Sequence, residues 1–247
     1  MLERLHIGTS GWSYQHWCGR FYPETQKSAQ FLEYYATQFS CVELNASFYR
    51  TPNLKTVEGW LRRTPENFRF CVKMSQQVTH RQRLADTNNA LKLFLATFAI
   101  LQPKLGPFLI QLPPSLQFER ERAQAFYEQL QSYDDFRFAL EPRHKSWFTD
   151  DSLQLLQANG IGLVFADSGG VFPQKLILTA DFAYLRFHGP RGLYYSPYSN
   201  DELRQYANMT ADWLKDGKEV WGFFNNDANA FAVYNALDLI ALVRDFL

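Results

Sequence analysis

Phe136-Arg137-Phe138-Ala139-Leu140-Glu141 is a short apolar run that stops on a carboxylate, and Pro142-Arg143-His144-Lys145 follows it directly. A strand covered on both faces reads as a nearly continuous apolar run, and a proline at its end cannot extend the pairing. The same pattern recurs along the chain. Leu5 to Thr9, Cys41 to Leu44, Phe68 to Lys73, Phe108 to Leu112, Gly162 to Ala166, Phe182 to His188 and Val220 to Phe224 are further runs that stop at or near a polar residue. Nearly every gap between them can hold a helix. Alternation of this kind describes an α/β protein of the TIM (β/α)8 barrel type, in which chemistry collects at the C-terminal ends of the strands.

The intervening segments support that reading. Ser28 suits an N-cap, and Phe31, Leu32, Tyr35, Ala36 and Phe39 then share one helical face. Further helices are predicted over Leu54 to Arg63, Ala85 to Leu101 with Pro103 beyond, Glu119 to Gln131, a stretch capped by Asp150 or Asp151 and ending at Asn159, Asp201 to Lys215, and Ala230 to Phe246. Between Asp167 and Asp181 the sequence SGGVFPQKLILT leaves room only for a loop and a short turn. The sixth helix is therefore expected to be abbreviated or missing.

The 247 residues match the usual length of one such barrel, so residues 1–247 are read as a single domain. Lys plus Arg and Asp plus Glu number 25 each, which gives no overall basic field to gather nucleic acid. Cys18, Cys41 and Cys71 form no CxxC pair and are odd in number, against a disulfide framework or a zinc knuckle. No apolar stretch approaches about 18 residues and no signal-peptide pattern follows Met1, so the expectation is a soluble, cytoplasmic protein without a membrane partner.

The strand ends supply the candidate site. Period-two alternation puts Glu43 with Asn45 on one face, Lys73 with Cys71, and Arg186 with His188. Glu141 sits beside Arg143 and His144, where burial and an opposing charge push a carboxyl pKa in opposite directions. Gln111, Asp167, Asn225, Asn226 and Asp227 occupy other strand ends, His80 follows the third strand, and Trp12 and Tyr14 flank the first. Each also has a structural reading: Lys73 as an ion-pair partner of Glu43, Asp167 as the cap of the Gly169-Gly170 turn, and the Glu141, Arg143 and His144 trio as a loop-holding network.

Seven segments carry a resemblance: GTSGWSYxxWxGxFYP (Gly8 to Pro23), VELNASFYRTP (Val42 to Pro52), FxVKxxxxxTH (Phe70 to His80), LGPFLIQLPPS (Leu105 to Ser115), ALEPRHKSW (Ala139 to Trp147), YLRFHG (Tyr184 to Gly189) and FFNND (Phe223 to Asp227). Together they closely resemble the domain of unknown function 72, or YecE-like, family over essentially the whole chain. The resemblance implies a TIM barrel and no established reaction. It also implies a common pocket for Glu43, Asn45, Lys73, His80, Gln111, Glu141, Arg143, His144, Asp167, Arg186, His188, Asn225, Asn226 and Asp227.

The leading expectation is an enzyme acting on a polar, anionic small molecule. Arg186, Lys73 and Arg143 would hold the anion, Glu141 or Glu43 would move a proton with His188 as partner, and Asp167 completes the catalytic candidates. Asn45, His80, Gln111, His144, Asn225, Asn226, Asp227, Trp12 and Tyr14 are the remaining substrate-contact candidates. No cofactor is favoured. A second expectation is a divalent-metal hydrolase or isomerase, such as a phosphodiesterase or endonuclease, drawing on Glu43, Glu141, Asp167, His188 and Asp227. Lys73 and Arg186 oppose a cation there. A glycosidase would use Glu43 and Glu141 as its paired carboxylates. The non-enzymatic alternative binds a nucleotide or nucleic acid through Arg191, Tyr194, Tyr195 and Tyr198.

Overall fold

In the computed structural model, which describes residues 1–247, eight parallel strands form one sheet in the order β1-β8-β7-β6-β5-β4-β3-β2. They are β1 (Leu5–Thr9), β2 (Cys41–Leu44), β3 (Arg69–Lys73), β4 (Leu105–Gln111), β5 (Phe138–Glu141), β6 (Gly162–Asp167), β7 (Phe182–Phe187) and β8 (Glu219–Phe224). The helices are α1 (Phe31–Gln38), a single-turn α2 (Ala46–Tyr49), α3 (Leu54–Arg62), α4 (Asn88–Phe98), α5 (Arg120–Gln131), α6 (Asp150–Ala158), α7 (Asn200–Lys215) and α8 (Phe231–Phe246). This is the expected TIM-type barrel. No helix lies between β6 and β7, as the sequence between Asp167 and Asp181 indicated. No helix is long and apolar enough to cross a membrane.

Closure between β1 and β2, the two ends of the sheet, combines a side-chain link with a single backbone bridge. The Tyr35 hydroxyl accepts from the Thr9 N–H at 2.9 Å and donates to the Cys41 carbonyl at 3.1 Å, while Ser10 bridges to Glu43. The strands can approach because residue 8 is glycine; a Cβ there would run into the Cys41 carbonyl oxygen. One phenol thus satisfies backbone groups that an open edge would leave to solvent.

Cys41, Cys71, Leu109, Ala139, Val164, Ala166, Tyr184 and Phe223 pack with Trp221 and Phe182 into a buried cluster. Gly106 belongs to this packing, since a Cβ would meet Cys71 Sγ and the Trp221 ring at 2.6 Å. β4 consequently starts at Leu105 rather than at the predicted Phe108, its Gly106-Pro107 pair being part of the strand. The cap of α6 is Thr149, whose hydroxyl accepts from the Ser152 N–H, so the two following aspartates sit in the first turn instead of capping it.

All six non-glycine residues with positive φ lie in loops that follow strands: Arg83, Leu84 and Asp86 after β3, Tyr194 after β7, and Asn229 and Ala230 after β8. Unfavourable backbone is therefore confined to the end of the barrel where the polar residues gather, a distribution common around binding sites.

Candidate active site

Arg186 of β7 is the centre of the mouth. Its side chain is only 1% exposed; its Nε and Nη2 donate to Glu43 at 3.0 and 2.7 Å, and its Nη1 donates to Glu141 at 2.5 Å. A buried guanidinium needs this much compensation, because desolvating an unpaired charge costs several kcal/mol. Glu43 also accepts from Ser10 Oγ at 2.8 Å and from the Tyr184 hydroxyl at 2.9 Å. Burial alone would raise its pKa, but the Arg186 charge and these donors hold it below the usual carboxylate range.

Glu141 of β5 accepts from Gln111 Nε2 at 3.1 Å and from Arg143 Nε at 3.2 Å as well as from Arg186. Burial again opposes ionisation, and again the Arg186 charge wins, with His188 and Arg143 adding to it. Both glutamates are thus fixed as weakly basic anions. His188 is fully buried behind them, its Nδ1 accepting from the Asn225 amide at 3.2 Å and its Nε2 lying 3.7 Å from Glu141. Burial, then the Arg186 charge, lowers its pKa.

Above this layer opens a cavity of about 680 Å³, lined by Tyr14, Asn45, Phe48, Tyr49, Lys73, Gln76, His80, Gln111, Arg143, Arg186, Tyr194, Asn225 and Asp227. Lys73 Nζ donates to the neutral Gln111 Oε1 at 2.9 Å and lies 4.3 Å from the centre of the Phe48 ring. It makes no salt bridge with Glu43 or any other carboxylate, contrary to the ion-pair reading. Burial, followed by the Arg186 charge, lowers its pKa to about 7, with Glu141 and Glu43 pulling the other way. His80 has its pKa lowered by burial and by Lys73, and burial raises that of Asp227, which approaches His16 at 3.6 Å.

Several expected residues lie elsewhere. Asp167 follows the inward Ala166, so alternation turns it outward, where it accepts from the Tyr206 hydroxyl of α7 at 2.6 Å and from the Gly169 N–H at 3.1 Å. Its turn-capping reading is the observed geometry. Asn226 is fully buried and donates to Ser196 O and Asn235 Oδ1, both at 3.0 Å, tying the loops behind the mouth. His144 caps a short turn through Ser146. Glu43, Glu141 and His188 form the floor rather than the lining, and Trp12 faces an adjoining pocket. In the loop after β7, Arg191 is engaged by Glu202 at 2.8 Å and Tyr198 is buried, which leaves Tyr194 and Tyr195 as its exposed aromatics.

Tyr184, Phe48 and Gln76 have the opposite history: the sequence reading assigned them no role at the mouth. Tyr184 was accessible from alternation, two residues before Arg186 on the same face. Phe48 and Gln76 lie beyond the strand ends, where period-two spacing says nothing. The metal alternative needed its donors to converge; no group of three or more His, Cys, Asp or Glu side chains is arranged to hold an ion, and Arg186 already engages both glutamates.

Fold and mouth together define a TIM-type barrel protein with a cation-rich cavity over a buried arginine. The chain belongs to the family described as "Protein of unknown function DUF72", which matches residues 6–246. It is 28% identical to UPF0759 protein YunF of Bacillus subtilis over 97% of this chain and 94% of that one. It is 25% identical to UPF0759 protein YecE of Escherichia coli, covering 85% and 80%. The crystal structure of a DUF72 family protein from Thermotoga maritima superposes with a TM-score of 0.85 at 32% identity, covering 97% of this chain and 99% of that one.

Proposed function

We propose that this protein is an enzyme that binds a small anionic molecule in the mouth and transfers a proton to or from it through Lys73. The observation that carries this reading is the placement of Nζ: it borders the cavity among guanidinium groups, with one neutral hydrogen-bond acceptor and no carboxylate. An amine in such surroundings is neutral often enough near pH 7 to accept a proton, and its ammonium can return one. The Gln111 oxygen and the Phe48 face would stabilise the ammonium as it forms.

The glutamates take a different role from the one first expected of them. A general acid needs a raised pKa, and both carboxyls are lowered, which also removes the acid that a Glu43 and Glu141 glycosidase would require. They serve as counter-charges that keep Arg186 at the floor within reach of Lys73, while their own charges partly offset its effect on the amine. Arg143, half free of Glu141, is the group best placed to hold the anion.

The test is competitive acylation of the intact protein across pH 5 to 11, read lysine by lysine by mass spectrometry, with and without inorganic phosphate. Lys73 should react with a midpoint near 7 and be protected by phosphate. A midpoint near 10, shared with surface lysines, would sink the assignment. With it confirmed, phosphorylated and carboxylated compounds are screened by thermal shift against wild type and Lys73→Met.

A further inference from the structure

A second cavity of about 440 Å³ adjoins the mouth, between the loop after β1 and helix α3, with Tyr14 and Asn45 in the walls of both. Its character is different. Trp12 and Trp60 meet edge to face at 5.6 Å, and Leu44, Ala29 and Ala46 complete much of the wall. The one charged residue, Arg63, already donates to the Ala29 carbonyl at 2.9 Å and approaches Glu33 at 3.4 Å. An apolar, aromatic compartment thus opens beside a cationic one.

The wall between them is built rather than incidental. Tyr14 is pinned by its hydroxyl, which donates to the Ser10 carbonyl at 2.6 Å. Gly11 lies directly against that ring: its φ is +101°, and a Cβ there would meet the Tyr14 hydroxyl at 2.9 Å. At the same junction Asn45 Oδ1 is buried and has no hydrogen-bond partner. An orphaned acceptor of this kind is unfavourable unless something supplies a donor.

The geometry points to a two-compartment site for one ligand: a planar heteroaromatic ring packed against the corner that Trp12 and Trp60 form, with a ring N–H donated to Asn45 Oδ1 once that side chain turns to meet it, joined to an anionic group held over Lys73 and Arg143. A nucleoside monophosphate and an aromatic carboxylate both have this chemistry. The anionic half rests on the proposed function, and the aromatic half stands on the second cavity alone. Ring stacking on an aromatic side chain should tighten binding about tenfold over the same anion without a ring.

The experiment is calorimetric titration of the whole protein with guanosine 5′-monophosphate, ribose 5-phosphate, guanosine and indole-3-acetate. The nucleotide is expected to bind about tenfold more tightly than ribose 5-phosphate. Trp60→Ala should erase that margin while leaving ribose 5-phosphate unaffected, and Trp60→Phe, which keeps a ring, should retain most of it and guard against misfolding. Lys73→Met should weaken both phosphates by a similar factor. Indole-3-acetate binding that alone depends on Trp60 would support the compartment with a carboxylate as the anion. Equal affinity for nucleotide and ribose 5-phosphate would overturn the aromatic compartment and leave the anion site standing. Guanosine binding as well as its monophosphate, with no effect of Lys73→Met, would overturn the anion site and leave the compartment. No binding by any probe at millimolar concentration would overturn both.

Discussion

At the N-terminal end of the barrel, Glu219 accepts from His6 at 2.9 Å and pairs with Arg137, and His6 stacks on Trp221 at 3.9 Å. At the C-terminal end, Arg186 is gripped by Glu43 and Glu141. Each end has a charged residue held by two partners, but only the upper one adds groups that the clamp does not use. Lys73 has a single neutral partner and the buried Asn45 Oδ1 has none, and both residues line an open cavity. The lower cluster closes the barrel; the upper one supports residues that stability does not explain.

The sharpest way to break this comparison is to remove Arg186. Arg186→Met leaves the buried Glu43 without its cation and Glu141 with Arg143 alone, and loss of about 3–5 kcal/mol is expected in urea denaturation. Adding Glu43→Gln should recover part of it. If the single variant were as stable as wild type, the floor would not be an electrostatic clamp.

Glu219 comes next. Burial would raise its pKa, but hydrogen bonds from His6 and Arg137 lower it to about 2. A depressed folded-state pKa means stability that is present above the ordinary carboxylate range and is lost as pH falls from about 4.5 towards 2. Glu219→Gln should cost about 2 kcal/mol at pH 7 and much less at pH 2.5. A pH-independent loss would mean that packing against Trp221 matters more than charge.

Lys73 should act in the opposite direction. Its pKa is lowered towards 7, so between about 7 and 10.5 the unfolded chain binds more protons than the folded one, and stability rises with pH across that window. Lys73→Met should therefore be more stable than wild type below pH 7, by an amount on the order of 1 kcal/mol, with the margin shrinking towards pH 10. A destabilised variant at pH 6 would place Lys73 with the structural charges and undo the contrast between the ends.

These residues also show how much could be read from sequence. Apolar runs ending on polar residues placed all eight strands, because two-sided burial leaves that signature, and alternation correctly paired Arg186 with its inward neighbours. The same rule applied to β6 would have turned Asp167 outward beside the inward Ala166. Which groups saturate one another was not legible: Glu43 and Arg186 are 143 residues apart, and nothing local marks their contact. The aromatic compartment was hidden for the same reason, since Trp12 and Trp60 come from separate loop and helix elements.

The smallest expected effect concerns the segment that replaces the missing helix. Ser168 Oγ accepts from the Phe172 N–H at 2.9 Å, and the turn so formed sets the Phe172 ring 4.2 Å from the Arg143 guanidinium carbon. A helix in this connection would have packed against the barrel wall; the loop reaches the mouth instead and covers the arginine proposed to hold the anion. A cation–π contact at a partly exposed site contributes about 0.5–1 kcal/mol. Phe172→Ala should therefore leave the urea midpoint nearly unchanged and weaken phosphate protection of Lys73 by about twofold to fivefold. Phe172→Tyr, which keeps the ring, should restore it. A large stability loss would show that the loop seals the barrel as a helix would, and unchanged phosphate protection would mean that Arg143 holds its position through Glu141 alone.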